Sequence, residues 1–259
     1  MTTHRHTRQD VRLVSVGGVD PSAGAGVLRD VLTARDLGAR AVVVGTAWTV
    51  QDDRAPSVEP RDAEKVRLAL AAALSRDGTL PTAAKIGMVA TSAIARVVLA
   101  GLASFPGPIV FDPVLRATSG LSLYAGDRES VLALARRATL LTPNLDEAGW
   151  LLERPVRTLV EARSAARALR ALGIAAVLVK GGHLADEATD VLCSSAGESI
   201  HASPRHAGPS PRGTGCALGT AVAVELAAGH PLEDAVAAAK TWLGERIGSA
   251  ATVAGERHL

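Results

Sequence analysis

Val11-Arg12-Leu13-Val14-Ser15-Val16 runs directly into Gly17-Gly18-Val19-Asp20-Pro21-Ser22-Ala23-Gly24-Ala25-Gly26, and a helical pattern follows over residues 27–37. A β-branched run, a glycine-rich loop and an apolar-periodic run predict strand, loop and helix in that order. Such loops stand at the carboxyl end of a strand, where open α/β sheets bind ligands. The spacing is neither the G-x-G-x-x-G of a dinucleotide fold nor the G-K-[ST] of a P-loop. Asp20 within the loop has two readings: a cap for the helix, or a carboxylate for a substrate hydroxyl or amine.

Outward from this unit the alternation repeats. A strand over 41–46 leads to Ala47-Trp48-Thr49-Val50-Gln51-Asp52-Asp53, again at a carboxyl end. Gln51 carries donors and an acceptor that suit the edge of a nitrogen heterocycle, and a solvated loop glutamine looks the same in sequence. A helix over 63–74, a short strand around Lys85-Ile86-Gly87-Met88, a helix over 92–99 and an apolar strand over 109–114 come next. That last strand carries Asp112, readable as an acid that orients Mg2+ through water or as a turn former before Pro113. After the strand 139–141, Asn144 and Glu147 have the spacing of a helix capping box and read as structural. A helix over 159–172 and a strand over 175–180 end in Lys180-Gly181-Gly182-His183, suited to a phosphate or to a surface turn. Residues 190–193 and 198–201 form an antiparallel hairpin closed through 194–197, an edge or a flap on the nucleotide side. Regular alternation of strand and helix predicts right-handed crossovers and a mainly parallel sheet.

The chemistry falls on Arg212-Gly213-Thr214-Gly215-Cys216, which opens into the apolar run 217–223. Glycines at a helix start leave backbone N–H groups pointing at whatever lies there, and the helix dipole adds partial positive charge. Cys216 falls in the first turn, where the thiolate is favoured and a base or nucleophile is available. The alternative is a tight turn with a small buried thiol. Two helices, 216–228 and 232–247, complete the chain.

Composition narrows the classes. Of 259 residues, 47% are hydrophobic but only 2% aromatic, so the core is built from Ala, Val and Leu and offers little for stacking nucleic-acid bases. Net charge is +2 with arginines dispersed, which leaves no nucleic-acid footprint. Cys193 and Cys216 fit neither a zinc site nor a disulfide framework and read as free thiols of a reducing compartment. No apolar run spans a bilayer and no signal region follows Met1, so no membrane association and a cytoplasmic location are expected. Residues 1–10, with His4 and His6, read as a disordered polar tail before one domain over 11–259.

Taken together, Gly18–Gly26 (Gly-Val-Asp-Pro-Ser-Ala-Gly-Ala-Gly), Lys-Ile-Gly-Met at 85–88, Asp-Pro-Val at 112–114, Thr-Pro-Asn-Leu-Asp-Glu-Ala at 142–148, Lys-Gly-Gly-His at 180–183 and Gly-Thr-Gly-Cys at 213–216 resemble the hydroxymethylpyrimidine and phosphomethylpyrimidine kinases of thiamine biosynthesis, within the ribokinase-like superfamily. The resemblance covers 11–247 in order. It implies a three-layer α/β/α fold with a mostly parallel central sheet and a small antiparallel hairpin. It implies ATP and Mg2+ as co-reactants, 4-amino-5-hydroxymethyl-2-methylpyrimidine and then its monophosphate as acceptors, and a homodimer. By the same resemblance Gln51, Asp20, Gly18, Met88 and Val114 surround the pyrimidine. Cys216 takes the hydroxyl proton, with Gly213 and Gly215 as the anion hole. Lys180, Thr214, Arg212 and Asn144 lie on the nucleotide side, and Asp112 and Glu147 are the acids toward Mg2+. The chain departs from the family pattern at Arg212, where a histidine is usual, at Leu121, where an aspartate is usual, and at Leu32, where a lysine is usual. A pyridoxal or pyridoxine kinase and a non-catalytic pyrimidine-binding regulator are the alternative readings.

Overall fold

Leu13 and Val14, Val110 and Phe111, Leu140 and Leu141, and Leu178 and Val179 are all buried, although successive side chains of a strand point to opposite faces. A sheet that is apolar on both faces must be covered on both. In a computed structural model of the chain, which describes residues 7–50, 57–75, 80, 82–117, 120–182, 188–204, 206, 208, 211–253 and 256–259, helices do cover both.

The elements in order are β1 (Arg12–Val19), α1 (Gly26–Asp36), β2 (Arg40–Val50), β3 (Ser57–Pro60), α2 (Ala63–Leu74), β4 (Thr82–Ile86), α3 (Ser92–Gly101), β5 (Ile109–Phe111), α4 (Arg128–Arg137) and β6 (Leu140–Leu141). There follow α5 (Leu145–Leu152), α6 (Leu159–Ala171), β7 (Val177–Val179), β8 (Ala188–Ser194), β9 (Gly197–Ser203), α7 (Thr214–Ala227), α8 (Leu232–Gly248), β10 (Ala251–Val253) and β11 (Glu256–His258). One nine-stranded sheet runs β3-β2-β1-β4-β5-β6-β7-β8-β9. The six strands from β2 to β7 are parallel, while β3 at one edge and β8 and β9 at the other are antiparallel. The resemblance therefore gave the right architecture, and the hairpin β8–β9 extends the main sheet as its edge.

Helices α1, α7 and α8 pack on the face carrying Leu13, Val110, Leu140 and Leu178. Helices α2 to α6 pack on the face carrying Val14, Ile86, Phe111 and Val177. Each fully buried Val or Leu contributes about 1.5–3 kcal/mol, which lets an Ala-, Val- and Leu-rich chain dispense with aromatics. Asp62, Thr91, Asp127, Asn144 and Thr158 each cap a helix by accepting a backbone N–H, and the Asn144–Glu147 box is present with both bonds at 2.8 Å. In contrast α1 and α7 start at Ala25 and Gly213 with no side-chain cap, and both begin at the carboxyl edge of the sheet.

Several boundaries differ from expectation. The strand around 85–88 is Thr82–Ile86, which leaves Gly87 and Met88 beyond its end, and the strand expected to reach Val114 stops at Phe111, so Asp112 also projects past the sheet. The sequence pattern does not mark the short strands β3, β10 and β11 or helix α4. Of the polar stretch up to Asp10, Arg8–Asp10 form one 3₁₀ turn, and Arg8 pairs with buried Glu225 at 2.6 Å. Among the described residues no helix is long and apolar enough to cross a membrane. Gln51, Asp52, Asp53 and His183 lie outside the described residues.

Candidate active site

The end of β1 shapes the first wall. Its register with β2 slips between Gly17 and Gly18, and Val19 bridges back to Gly26. Gly26 has φ +64°, and a Cβ there would collide with the Gly18 carbonyl oxygen. Gly213 has φ +74°, and a Cβ there would collide with the Gly24 carbonyl oxygen, so the loop before α1 and the start of α7 are in backbone contact. Between them lies a cavity of about 390 Å³ lined by Gly18, Asp20, Lys85, Met88, Val114 and Cys216.

A second cavity, of about 910 Å³, opens on the other side of the α7 start and is lined by Lys180, Asp190, Thr214, Gly215, Lys240 and Arg257. The first turn of α7 thus separates the two spaces. Thr214 and Gly215 face the larger, and Cys216 faces the smaller.

Charges gather at this partition. Asp112 is 1% exposed; it accepts from Lys180 Nζ at 2.5 Å and from Thr142 Oγ1 at 3.3 Å. A Cβ on Gly215 would come within 3.1 Å of Lys180 Nζ, so the lysine sits directly at the helix start. Burial works against the Lys180 charge, but Asp112 and Glu147 outweigh it and hold the pKa above its ordinary value. Burial pushes the Glu147 carboxyl up to about 7, with Lys180 pulling it down and Asp112 pushing it up. Asp112 thus binds the ammonium directly, while Glu147 feels it through space and keeps its own bond from the Asn144 N–H. Among the described residues no group of three or more His, Cys, Asp or Glu side chains is placed to hold a metal ion unaided. Mg2+ in phosphoryl-transfer sites takes one or two carboxylates and completes its shell with phosphate and water, and the surplus negative charge of Asp112 and Glu147 matches that donor set.

Beneath Cys216 lies a pair that the sequence reading missed. Lys85 Nζ is bound to both oxygens of Asp30 at 3.0 Å, with Lys85 1% and Asp30 0% exposed. Asp30 also accepts from Ser15 Oγ at 2.6 Å and Thr220 Oγ1 at 2.9 Å. Burial opposes the Lys85 charge, yet Asp30, Cys216 and Asp112 together hold it well above the usual lysine range. The available signal was a lysine inside the apolar strand Thr82–Ile86, where both faces are buried. Lys240 was missed as well; it donates to Asp190 Oδ2 at 2.8 Å in the larger cavity.

The cap reading of Asp20 is excluded, and the expectation for Cys216 is corrected. Asp20 does not cap α1: it turns the loop on itself, accepting from Ser22 N at 3.1 Å and Ser22 Oγ at 2.8 Å, and it receives Arg212 at 2.9 Å. The Cys216 thiol is not shifted toward its anion. Burial pushes its pKa up, and the opposing pull of Lys85 and of the Gly26 N–H does not reverse that. A helix start lowers a thiol pKa only where the thiolate remains solvated, and Cys216 is buried. Of the other expected residues, Gly18, Met88, Val114 and Cys216 come together in the smaller cavity, and Lys180 and Thr214 in the larger. Asn144 lines a separate recess with Glu147, and Arg212 reaches back to Asp20.

A mostly parallel sheet covered on both faces, with two cavities meeting at an uncapped helix start on its carboxyl edge, defines a ribokinase-like kinase of small molecules. A sequence model described as phosphomethylpyrimidine kinase matches residues 20–258, and the chain belongs to that family, whose members are phosphotransferases that use ATP. The chain is 36% identical to the hydroxymethylpyrimidine/phosphomethylpyrimidine kinase of Escherichia coli, covering 94% of this chain and 93% of that one. It is 37% identical to the chloroplastic thiamine biosynthetic bifunctional enzyme of Arabidopsis thaliana over 95% of its own length, but spans about half, 48%, of that protein. Among solved structures, phosphomethylpyrimidine kinase from Clostridium difficile superposes with a TM-score of 0.77 at 27% identity, covering 92% of this chain and 99% of that one. An ADP complex of Bacillus subtilis pyridoxal kinase superposes at 0.83 with 28% identity and 93% of both chains covered.

Proposed function

We propose that this kinase transfers the γ-phosphoryl group of ATP to the hydroxymethyl oxygen of 4-amino-5-hydroxymethyl-2-methylpyrimidine, and then to the resulting monophosphate. One observation carries the reading: the two cavities share the first turn of α7 as their wall, with Cys216 on the small side and Thr214, Gly215 and Lys180 on the large side. A pyrimidine in the small cavity packs between Gly18, Met88 and Val114, and its hydroxyl meets Cys216 Sγ. The triphosphate lies in the large cavity with its terminal phosphate against the α7 N–H groups. Lys180 neutralises charge there as the phosphoryl group moves.

Phosphoryl transfer needs alignment and charge neutralisation more than covalent help, and a fixed helix start supplies both without reorganisation. Cys216 accepts the hydrogen bond that orients the hydroxyl, and as the new P–O bond forms the hydroxyl proton passes to an oxygen of the incoming phosphoryl group. A thiol kept neutral by burial suits a loose transition state, in which the oxygen loses its proton late. Asp112 and Glu147 would hold Mg2+, which would supply charge neutralisation for the phosphates. Exposed Val43, Trp48 and Val50 on β2 support a homodimer.

Product formation by mass spectrometry, with ATP, Mg2+ and in turn the pyrimidine alcohol, its monophosphate and pyridoxal, tests the assignment. Products from both pyrimidines are expected. Reaction with pyridoxal alone would move the chain to the second reading, which its likeness to pyridoxal kinase structures supports.

A further inference from the structure

The acid at the mouth of the small cavity is already engaged. Asp20 is 3% exposed, and its Oδ1 is held by Ser22 while its Oδ2 receives Arg212 Nη2 at 2.9 Å. Arg212 Nη1 makes a longer contact, 3.4 Å, to Ser22 Oγ, and the guanidinium lies 3.4 Å from where a Cβ of Gly24 would be. The arginine therefore straps the loop before α1 to the residue that enters α7, and it remains partly open to solvent. Lys85, by contrast, is sealed against Asp30, and Lys180 is buried against Asp112.

A neutral alcohol brings no charge to this mouth. A pyrimidine monophosphate brings a dianion next to Asp20 while the α7 start and Lys180 are occupied by the ATP phosphates. That arrangement requires one more cation on the acceptor side. A guanidinium presents several donors in one plane, and the long Ser22 contact is one that a phosphate oxygen would replace while the Asp20 bond is kept.

Resting on the proposed function, we propose that Arg212 is a specificity residue for the second phosphorylation: it stays on Asp20 and exchanges Ser22 for the phosphate of the monophosphate acceptor. Arg212 then discriminates between the two acceptors and leaves the nucleotide alone.

The test is kcat/KM for the pyrimidine alcohol and for its monophosphate, with KM for ATP, in wild type, Arg212→Gln and Arg212→Lys. Loss of one charge-assisted bond predicts a fall of roughly 10- to 100-fold for the monophosphate in Arg212→Gln. The alcohol should change by less than about 3-fold, KM for ATP should hold, and Arg212→Lys should recover part of the loss. Equal falls for both acceptors, an effect confined to ATP, or wild-type turnover of the alcohol alone would overturn the assignment of Arg212 while leaving the kinase reading intact. Wild-type turnover of neither pyrimidine would overturn both.

Discussion

Replacing Lys85 with methionine takes the ammonium out of a fully buried ion pair and leaves Asp30 charged in a space with no exposure to water. Removing one member of such a pair costs about 3–5 kcal/mol, because the remaining charge is neither paired nor solvated. Asp30 keeps the hydroxyls of Ser15 and Thr220 at 2.6 and 2.9 Å, which places the expected loss near the lower end, at about 3 kcal/mol. Against a total stability of about 5–15 kcal/mol that is a large fraction. Lys85→Met/Asp30→Asn replaces the pair by neutral groups and keeps the two hydroxyl partners supplied. Its loss should be about 1 kcal/mol, giving a coupling of about 2 kcal/mol or more when both single variants are included. Urea unfolding of the four proteins at pH 7.5, followed by circular dichroism, measures this. A cost below about 1 kcal/mol for Lys85→Met, or strict additivity in the double variant, would refute the view of Lys85–Asp30 as a compensated buried pair. Since Lys85 pulls the Cys216 pKa down, the same substitution should move the pH midpoint of Cys216 alkylation upward.

Three further outcomes are expected. Gly213→Ala, at φ +74° and against the Gly24 carbonyl, must displace the α7 start, and a shift near 1 Å in a positioning element predicts a fall in kcat/KM of about 100-fold by steady-state assay. Cys216→Ala should lower kcat roughly 10- to 100-fold while pyrimidine Kd, measured by calorimetry, changes by less than about 3-fold; full activity would remove Cys216 from the proton's path. Glu147 has its carboxyl near 7 in the fold against an ordinary 4.5, so the folded state binds the proton more tightly. Stability from that proton is present in full below about pH 4.5 and is lost as pH rises through 7. In metal-free protein, wild type should therefore lose about 2 kcal/mol relative to Glu147→Gln between pH 5 and 7.5 in urea unfolding; parallel profiles would contradict this.

Local signals in the chain are legible where one residue decides one bond. The Asn144–Glu147 spacing is a capping box because the partners are three residues apart on one turn. The run from Val11 to Gly26 reads as strand and loop because apolar burial and φ > 0 are properties of single positions. Lys85 and Asp30, 55 residues apart, and Lys240 and Asp190, 50 apart, meet only through the sheet order, which no window of sequence contains. β3 and β10–β11 are too short to show a period, and they exist as partners of other strands. The thiol of Cys216 shows the opposite case: its place at a helix start is legible, but its acidity depends on burial, which outweighs the pull of Lys85 and the Gly26 N–H. Glu147 combines both lessons, since the side chain that closes the capping box is also the buried acid beside Asp112 and Lys180.

The most direct test of the central claim is a crystal structure with the pyrimidine alcohol, Mg2+ and a non-transferable ATP analogue bound together. The account predicts the ring between Gly18, Met88 and Val114, the hydroxyl oxygen beside Cys216 Sγ, and the terminal phosphate on the α7 N–H groups about 3–3.5 Å from that oxygen. A pyrimidine in the larger cavity, or a triphosphate directed away from Gly213–Gly215, would contradict it.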